Sequence, residues 1–166
     1  MATITLKGNP INTLGIKPKT GSVAPDFTLL NSDLQEVSLS SLKGKYVVLN
    51  IFPSLDTAVC ATSVRQFNKL AAGKPNTVVL AISKDLPFAH KRFCTTEGIE
   101  NVQGLSTFRH PGFEEQYGLT ITESPLAQLL ARAVVVVNPE GVVVYEELVP
   151  EIVQEPDYEK ALAAIK

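Results

Sequence analysis

Two scarce residue types suited to nucleophilic, redox or proton chemistry near neutral pH stand out: Cys60 and Cys94, His90 and His110, the only cysteines and histidines in the 166-residue chain. Cys60 ends the stretch Pro53-Ser54-Leu55-Asp56-Thr57-Ala58-Val59-Cys60, which follows an apolar run and leads into an expected helix. In a first helical turn the N–H groups lack intrahelical partners, and the helix dipole is positive at that end. Both favour thiolate, the nucleophilic form. An unperturbed cysteine is only about 3% ionised at pH 7, so the placement matters. Position alone leaves open a second reading, a buried cysteine packed as a small hydrophobe. Two neighbours point to reactivity: the Pro53 ring can shield the sulfur and the Thr57 hydroxyl can reach it. A cation from elsewhere in the chain would complete the set.

Other chemistries fit less well. The chain has no C-x-x-C and no H-x-x-x-H, so neither a closed metal site nor a C-x-x-C dithiol oxidoreductase is expected, and no cofactor is implied. Two cysteines do not make a disulfide scaffold. His90 and His110 are expected on the surface or in loops. Asp56 is expected as a cap or turn residue, and Lys91 and Arg92 on a solvated helix face.

Positioning Cys60 requires a strand before it and a helix after it. Tyr46–Phe52 is apolar at nearly every position, as a strand covered on both faces should be. Thr77–Ser83 and Ala131–Val137 have the same character. Between them, Val64, Phe67, Leu70 and Ala71 fall on one face and predict a helix over 58–72, with Asp56 or Thr57 as its N-cap. Asp85 opens a second helix, with Pro87 in its first turn and its end near Gly98.

Val102–Phe108 reads as a further strand. Asn138-Pro139-Glu140-Gly141 turns the chain back into Val142–Leu148, and a last amphipathic helix starts at Pro156. Upstream, Thr3–Lys7 and Ile11–Leu14 predict a hairpin around Gly8-Asn9-Pro10. Residues 15–25 read as a loop, Phe27–Leu30 and Glu36–Leu39 as short strands, and Ser40–Gly44 as a helical turn. The sum is an α/β domain over 1–166: a central mixed sheet flanked by helices, with an N-terminal β-hairpin. Ligands on such sheets sit beyond the carboxyl ends of the strands, where the Cys60 segment lies.

Length and composition agree with one globular core, with 45% hydrophobic and 19% charged residues. A net charge of −2 gives no basic excess to hold phosphates, so nucleic acid is not expected as a partner, and no apolar run is long enough to cross a membrane. The N-terminus shows no secretory signal, so the expected compartment is the cytoplasm.

Pro53-x-x-x-Thr57-x-x-Cys60 resembles the active-site signature of the peroxiredoxins. The longer "SLDTAVC" is similar to the atypical two-cysteine thiol peroxidase branch, and the likeness extends from "TLKGNP" through "LLARAVVVV" to "EPDYEKAL". The resemblance implies a thioredoxin-like fold and reduction of hydrogen peroxide and organic hydroperoxides. Cys60 would be the peroxidatic nucleophile, Arg132 of "LLARAV" the cation beside it, and Cys94 the resolving cysteine that forms a disulfide with Cys60. It further implies thioredoxin as reductant and a homodimer, while Phe113, Leu126 and Leu129 could line an apolar substrate pocket. Two cysteines on separate helices predict local unwinding before a disulfide can form, since that bond needs α-carbons within about 7 Å.

Thiolate formation cannot be the whole mechanism. Full ionisation gains roughly 30-fold in nucleophile at pH 7. A two-unit fall in basicity costs roughly tenfold in nucleophilicity, if peroxide attack follows the slope for thiol exchange. Most of the acceleration must then come from stabilising charge on the peroxide oxygens, a task for Arg132, the Thr57 hydroxyl and main-chain N–H groups near Val59 and Cys60. The alternative on the same fold is a peroxide-sensing redox switch or adaptor, separable from an enzyme only by turnover.

Overall fold

The computed structural model describes residues 1–166. Its centre is β5 (Tyr46–Ile51), flanked by β6 (Thr77–Ser83) in parallel and β8 (Ala133–Val137) in antiparallel orientation. Beyond β6 lie β7 (Val102–Ser106), β3 (Thr28–Asn31) and β4 (Glu36–Ser38), and beyond β8 lies β9 (Val143–Leu148). The seven-stranded order is β4-β3-β7-β6-β5-β8-β9. A separate antiparallel hairpin, β1 (Thr3–Leu6) with β2 (Asn9–Asn12), precedes it.

Strand alternation divides the core in two. Val47, Leu49 and Ile51 of β5, Leu80 and Ile82 of β6, and Ala133, Val135 and Val137 of β8 belong to one cluster. Val48 and Phe52, Val79 and Ala81, and Val134 and Val136 belong to the other. Because both faces are covered, these strands are apolar throughout.

The second face carries α1 (Ala58–Ala71), α2 (Pro87–Glu97) and α4 (Tyr158–Ala163). On α1, Cys60, Val64, Phe67 and Ala71 form the buried stripe. Leu70, expected there, is exposed, and Cys60 belongs to the stripe instead. The first face carries the hairpin and α3 (Pro111–Tyr117), a helix that the residue pattern did not predict. Proline suits its first helical turn. The following Phe113 and Tyr117 stack at 4.5 Å and bind the short helix to Phe27.

Other boundaries differ by a few residues. The hairpin turns at Lys7-Gly8, both at positive φ, and Pro10 lies within β2, where a two-stranded sheet tolerates the missing N–H. Residues 131 and 132 precede β8 and are not part of it.

Candidate active site

The chain leaves β5 at Ile51, crosses the buried Phe52 and Pro53, and enters α1 at Ala58. Thr57 occupies the N-cap position, as expected, but does not cap the helix with its side chain. Its hydroxyl donates back to the Ser54 carbonyl at 3.1 Å, so the first N–H groups of α1 have no side-chain acceptor. Asp56 points outward and pairs with Arg92 of α2 at 3.1 Å. This corrects the side-chain cap expected from either residue.

Cys60 stands in the first turn of α1 and is 0% exposed. Arg132 continues the alternation of β8, with Val134 and Val136, onto the same face. Its Nη2 donates to Cys60 Sγ at 3.3 Å, and its Nε donates to the Ile152 carbonyl at 2.8 Å. Arg132 is 2% exposed and has no carboxylate partner. A buried cation without a counter-charge is costly, and the adjacent sulfur is the hydrogen-bonded partner that can carry one. Nη1 has no partner at all. It is a charged donor left for an incoming acceptor.

Cys94 lies near the end of α2, half-buried against the same apolar cluster as Cys60. Its carbonyl accepts from Gly98 and Ile99 N–H groups, which close the helix around a left-handed Gly98. Burial pushes the Cys94 thiol above its ordinary range. Both cysteines are free thiols. Two ion pairs bind their segments together: Asp56–Arg92, and Arg65–Glu97 at 2.8 Å.

The structure sets Arg132 against the Cys60 sulfur, with Pro53 buried in the segment that leads to α1 and the Thr57 hydroxyl turned to the Ser54 carbonyl, and packs Cys94 against the same apolar cluster as Cys60. It does not bring the apolar candidates there. Phe113 is buried among Phe27 and Tyr117 on the opposite face of the sheet. Leu126 packs against that same cluster, and half-buried Leu129 accepts from the Ile121 N–H at 2.9 Å.

Other residues of the site escaped the sequence reading. Asn50, fully buried in β5, donates to Ser63 Oγ at 3.1 Å, and Ser63 donates to the Cys60 carbonyl at 2.8 Å. An amide inside an otherwise apolar strand was the signal that could have found it. His90, expected at the surface, is buried at 1% exposure. It fits because Gly104 of β7 faces it: a Cβ there would come within 2.5 Å of the imidazole. Desolvation lowers its pKa to about 4, against a smaller opposing pull from Asp85, so the ring is neutral at pH 7. His110 is a half-buried loop residue before α3.

The Redoxin family profile matches residues 19–162. The thiol peroxidase of Mycobacterium tuberculosis (strain ATCC 25618 / H37Rv) is 59% identical over 165 residues, covering 99% of both chains. The chain belongs to the thiol peroxidases. It is therefore a peroxiredoxin-type peroxidase, an oxidoreductase with an antioxidant activity. A crystal structure of a peroxiredoxin-like protein from Aquifex aeolicus superposes with a TM-score of 0.93 at 42% identity, covering 99% of this chain and 96% of that one. A thiol peroxidase from Chromobacterium violaceum shares the fold, with a TM-score of 0.88 at 22% identity over 95% of this chain and 91% of that one. The peroxiredoxin variant of the thioredoxin-like fold is thus the architecture of this enzyme: a mixed central sheet, flanking helices and an N-terminal hairpin. No helix is long and apolar enough to cross a membrane.

Proposed function

We propose that the enzyme reduces hydrogen peroxide and organic hydroperoxides at Cys60, resolves the product with Cys94, and is recycled by thioredoxin. The contact that carries this reading is the 3.3 Å hydrogen bond from buried Arg132 to Cys60 Sγ, with Nη1 of the same guanidinium unpartnered. The thiolate attacks the terminal peroxide oxygen and the O–O bond breaks. The hydroxyl stays on sulfur as a sulfenic acid, and the leaving alkoxide or hydroxide takes a proton from solvent. Negative charge grows on the leaving oxygen as the bond breaks. Arg132 Nη1, first-turn N–H groups of α1 and the Thr57 hydroxyl, turned from Ser54, are the donors for it.

The Cys94 thiol then attacks the sulfenic sulfur. A disulfide forms, and water leaves with the Cys94 proton. Cys60 is inside α1 and Cys94 inside α2, so this step requires one or both helix ends to open. The last turn of α2, held by Gly98 and Ile99 N–H groups on the Cys94 carbonyl, is the shorter unit to release. Thiol–disulfide exchange with thioredoxin returns both thiols. A homodimer would use the exposed Leu86, Phe88 and Phe108, which lie past the carboxyl ends of β6 and β7.

A coupled assay tests this: thioredoxin, its reductase and NADPH, with hydrogen peroxide or cumene hydroperoxide. Sustained NADPH consumption is expected for both peroxides. One stoichiometric oxidation of Cys60 without turnover would leave a redox sensor rather than an enzyme of this cycle.

A further inference from the structure

Asp85 stands where a carboxylate would cap α2, yet the N-cap is Leu86 and no side chain caps that helix. The carboxylate turns to the other side. Oδ1 accepts from the Ser54 hydroxyl at 2.9 Å, and Oδ2 accepts from the Leu55 N–H at 2.8 Å. Oδ2 also accepts from the Ser83 hydroxyl at 2.6 Å. Ser54 in turn organises the rest of the approach to Cys60. Its Oγ accepts from the Asp56 N–H at 3.1 Å, and its carbonyl accepts from both the Thr57 hydroxyl and the Thr57 N–H.

The far side of this carboxylate is equally fixed. Ser83 is fully buried at the end of β6 and lies 3.1 Å from His90 Nε2. The serine has one proton, and the carboxylate can only accept it. His90 must therefore donate from Nε2, which assigns its tautomer. A chain of hydrogen bonds thus runs from α2, one turn before Cys94, through Ser83 and Asp85 to the loop that delivers Cys60.

We infer that Asp85 is a positioning residue for peroxide reduction: by holding Ser54 and Leu55 it sets where Thr57 and the first turn of α1 stand relative to Arg132. This rests on the peroxidase reading of Cys60 and adds a group that touches neither sulfur nor substrate. Its effect is geometric. A displacement of about 1 Å in a reacting array costs on the order of 100-fold in rate, and an uncaptured Leu55 N–H frees the loop to make it.

The test uses full-length protein in a Cys94→Ser background, so that Cys60 is the one thiol followed. Rapid mixing with hydrogen peroxide, acid quench and mass spectrometry give the rate of Cys60 oxidation. Iodoacetamide gives the rate of a reaction that needs the sulfur but not the peroxide donors. Asp85→Ala is expected to slow oxidation roughly 10- to 100-fold while alkylation is not slowed. Asp85→Asn can still accept from Leu55 and Ser83 and can donate to Ser54 Oγ, so it should recover most of the lost rate.

Ser54→Ala, which removes one of the three bonds, should fall between them, and it carries the comparison if circular dichroism shows Asp85→Ala unfolded. Oxidation within about twofold of the parent in both Asp85→Ala and Ser54→Ala would overturn the inference, as would oxidation and alkylation falling together, or Asn doing no better than Ala. A parent that is itself inert to peroxide would instead bring down the peroxidase reading on which the inference stands.

Discussion

Cys60 is the more deeply buried of the two sulfurs, yet it is the one placed against a cation. Cys94 is half-buried, more open to solvent, and held as a thiol by the apolar cluster around it. On the roles proposed above, exposure alone would rank them the wrong way for reactivity. The difference lies in partners: one sulfur has a guanidinium at 3.3 Å and a helix start without a side-chain cap, the other has Phe93 beside it in the chain and a helix end closed on its carbonyl. The proposed cycle uses that difference: attack by the buried thiol beside a charged donor, and resolution by the thiol against apolar surface once its segment moves.

The largest test of that contrast is to delete each sulfur in turn. Cys60→Ser is expected to abolish peroxide consumption. Cys94→Ser should still oxidise once at Cys60 and then fail to turn over with thioredoxin. Quenched-flow oxidation and the coupled assay, run side by side, give the two readouts. Equal loss of the first oxidation in both variants would break the comparison.

Next in size is the cation. Arg132→Met keeps most of the side-chain volume and removes the charge, and should lower the rate of Cys60 oxidation by about 10²- to 10³-fold, in line with the loss of a preorganised transition-state donor. Lysine should not rescue it. One ammonium cannot bond the Ile152 carbonyl, approach the sulfur and leave a further donor free in the geometry of a planar guanidinium. Rates of Met and Lys variants within tenfold of the parent would show that the helix start suffices.

How much of this could be read in the residues follows the range of the forces involved. The strands were legible because Tyr46–Ile51, Thr77–Ser83 and Ala133–Val137 are covered on both faces and show it in composition. The helix start that puts Thr57 at the N-cap position and Cys60 in the first turn was legible because it is local, whereas the partner of the Thr57 hydroxyl, the Ser54 carbonyl, was not. Arg132 could be placed only through the family resemblance, since nothing near it in the chain points to a sulfur 72 positions away. Asp85 was assigned to the nearest helix, which is the local expectation, whereas its lone pairs go to a loop 30 residues earlier. His90 was assigned to the surface because its burial depends on the absence of a side chain at Gly104, on another element. Short-range patterning identifies elements; a polar group's partner across the fold is written in two places at once.

A smaller effect reads the docking of α2, the element that carries Cys94. The unfolded chain takes up a proton on His90 near pH 6.5, and the folded chain only near 4, because burial opposes the charge. Between those values the unfolded state binds more protons, so stability falls as pH drops from about 6.5 to about 4 and levels off below. The full span amounts to roughly 3 kcal/mol. His90→Gln retains a donor for Ser83 and cannot ionise, so its urea midpoint should lose this part of the acid dependence. An unchanged acid limb in the Gln variant would mean that α2 yields elsewhere first.

The smallest effect belongs to Cys94 itself and has the opposite sign on the pH axis. Burial raises this thiol above its ordinary value of 9.0. As pH climbs past that value the unfolded chain loses its proton before the folded chain does, so the folded state holds more protons and stability declines with rising pH. The decline is modest because the side chain is only half-buried. Cys94→Ala should remove it, leaving a flatter urea midpoint between pH 8 and 10 than the parent. The same burial predicts that iodoacetamide modifies Cys94 more slowly at pH 8 in the folded protein than in urea, since the reagent takes thiolate. A Cys94 that alkylates as fast in the reduced, folded chain as in the unfolded one would mean that its helix end is already open, and the contrast between the two sulfurs would reduce to the presence of Arg132 alone.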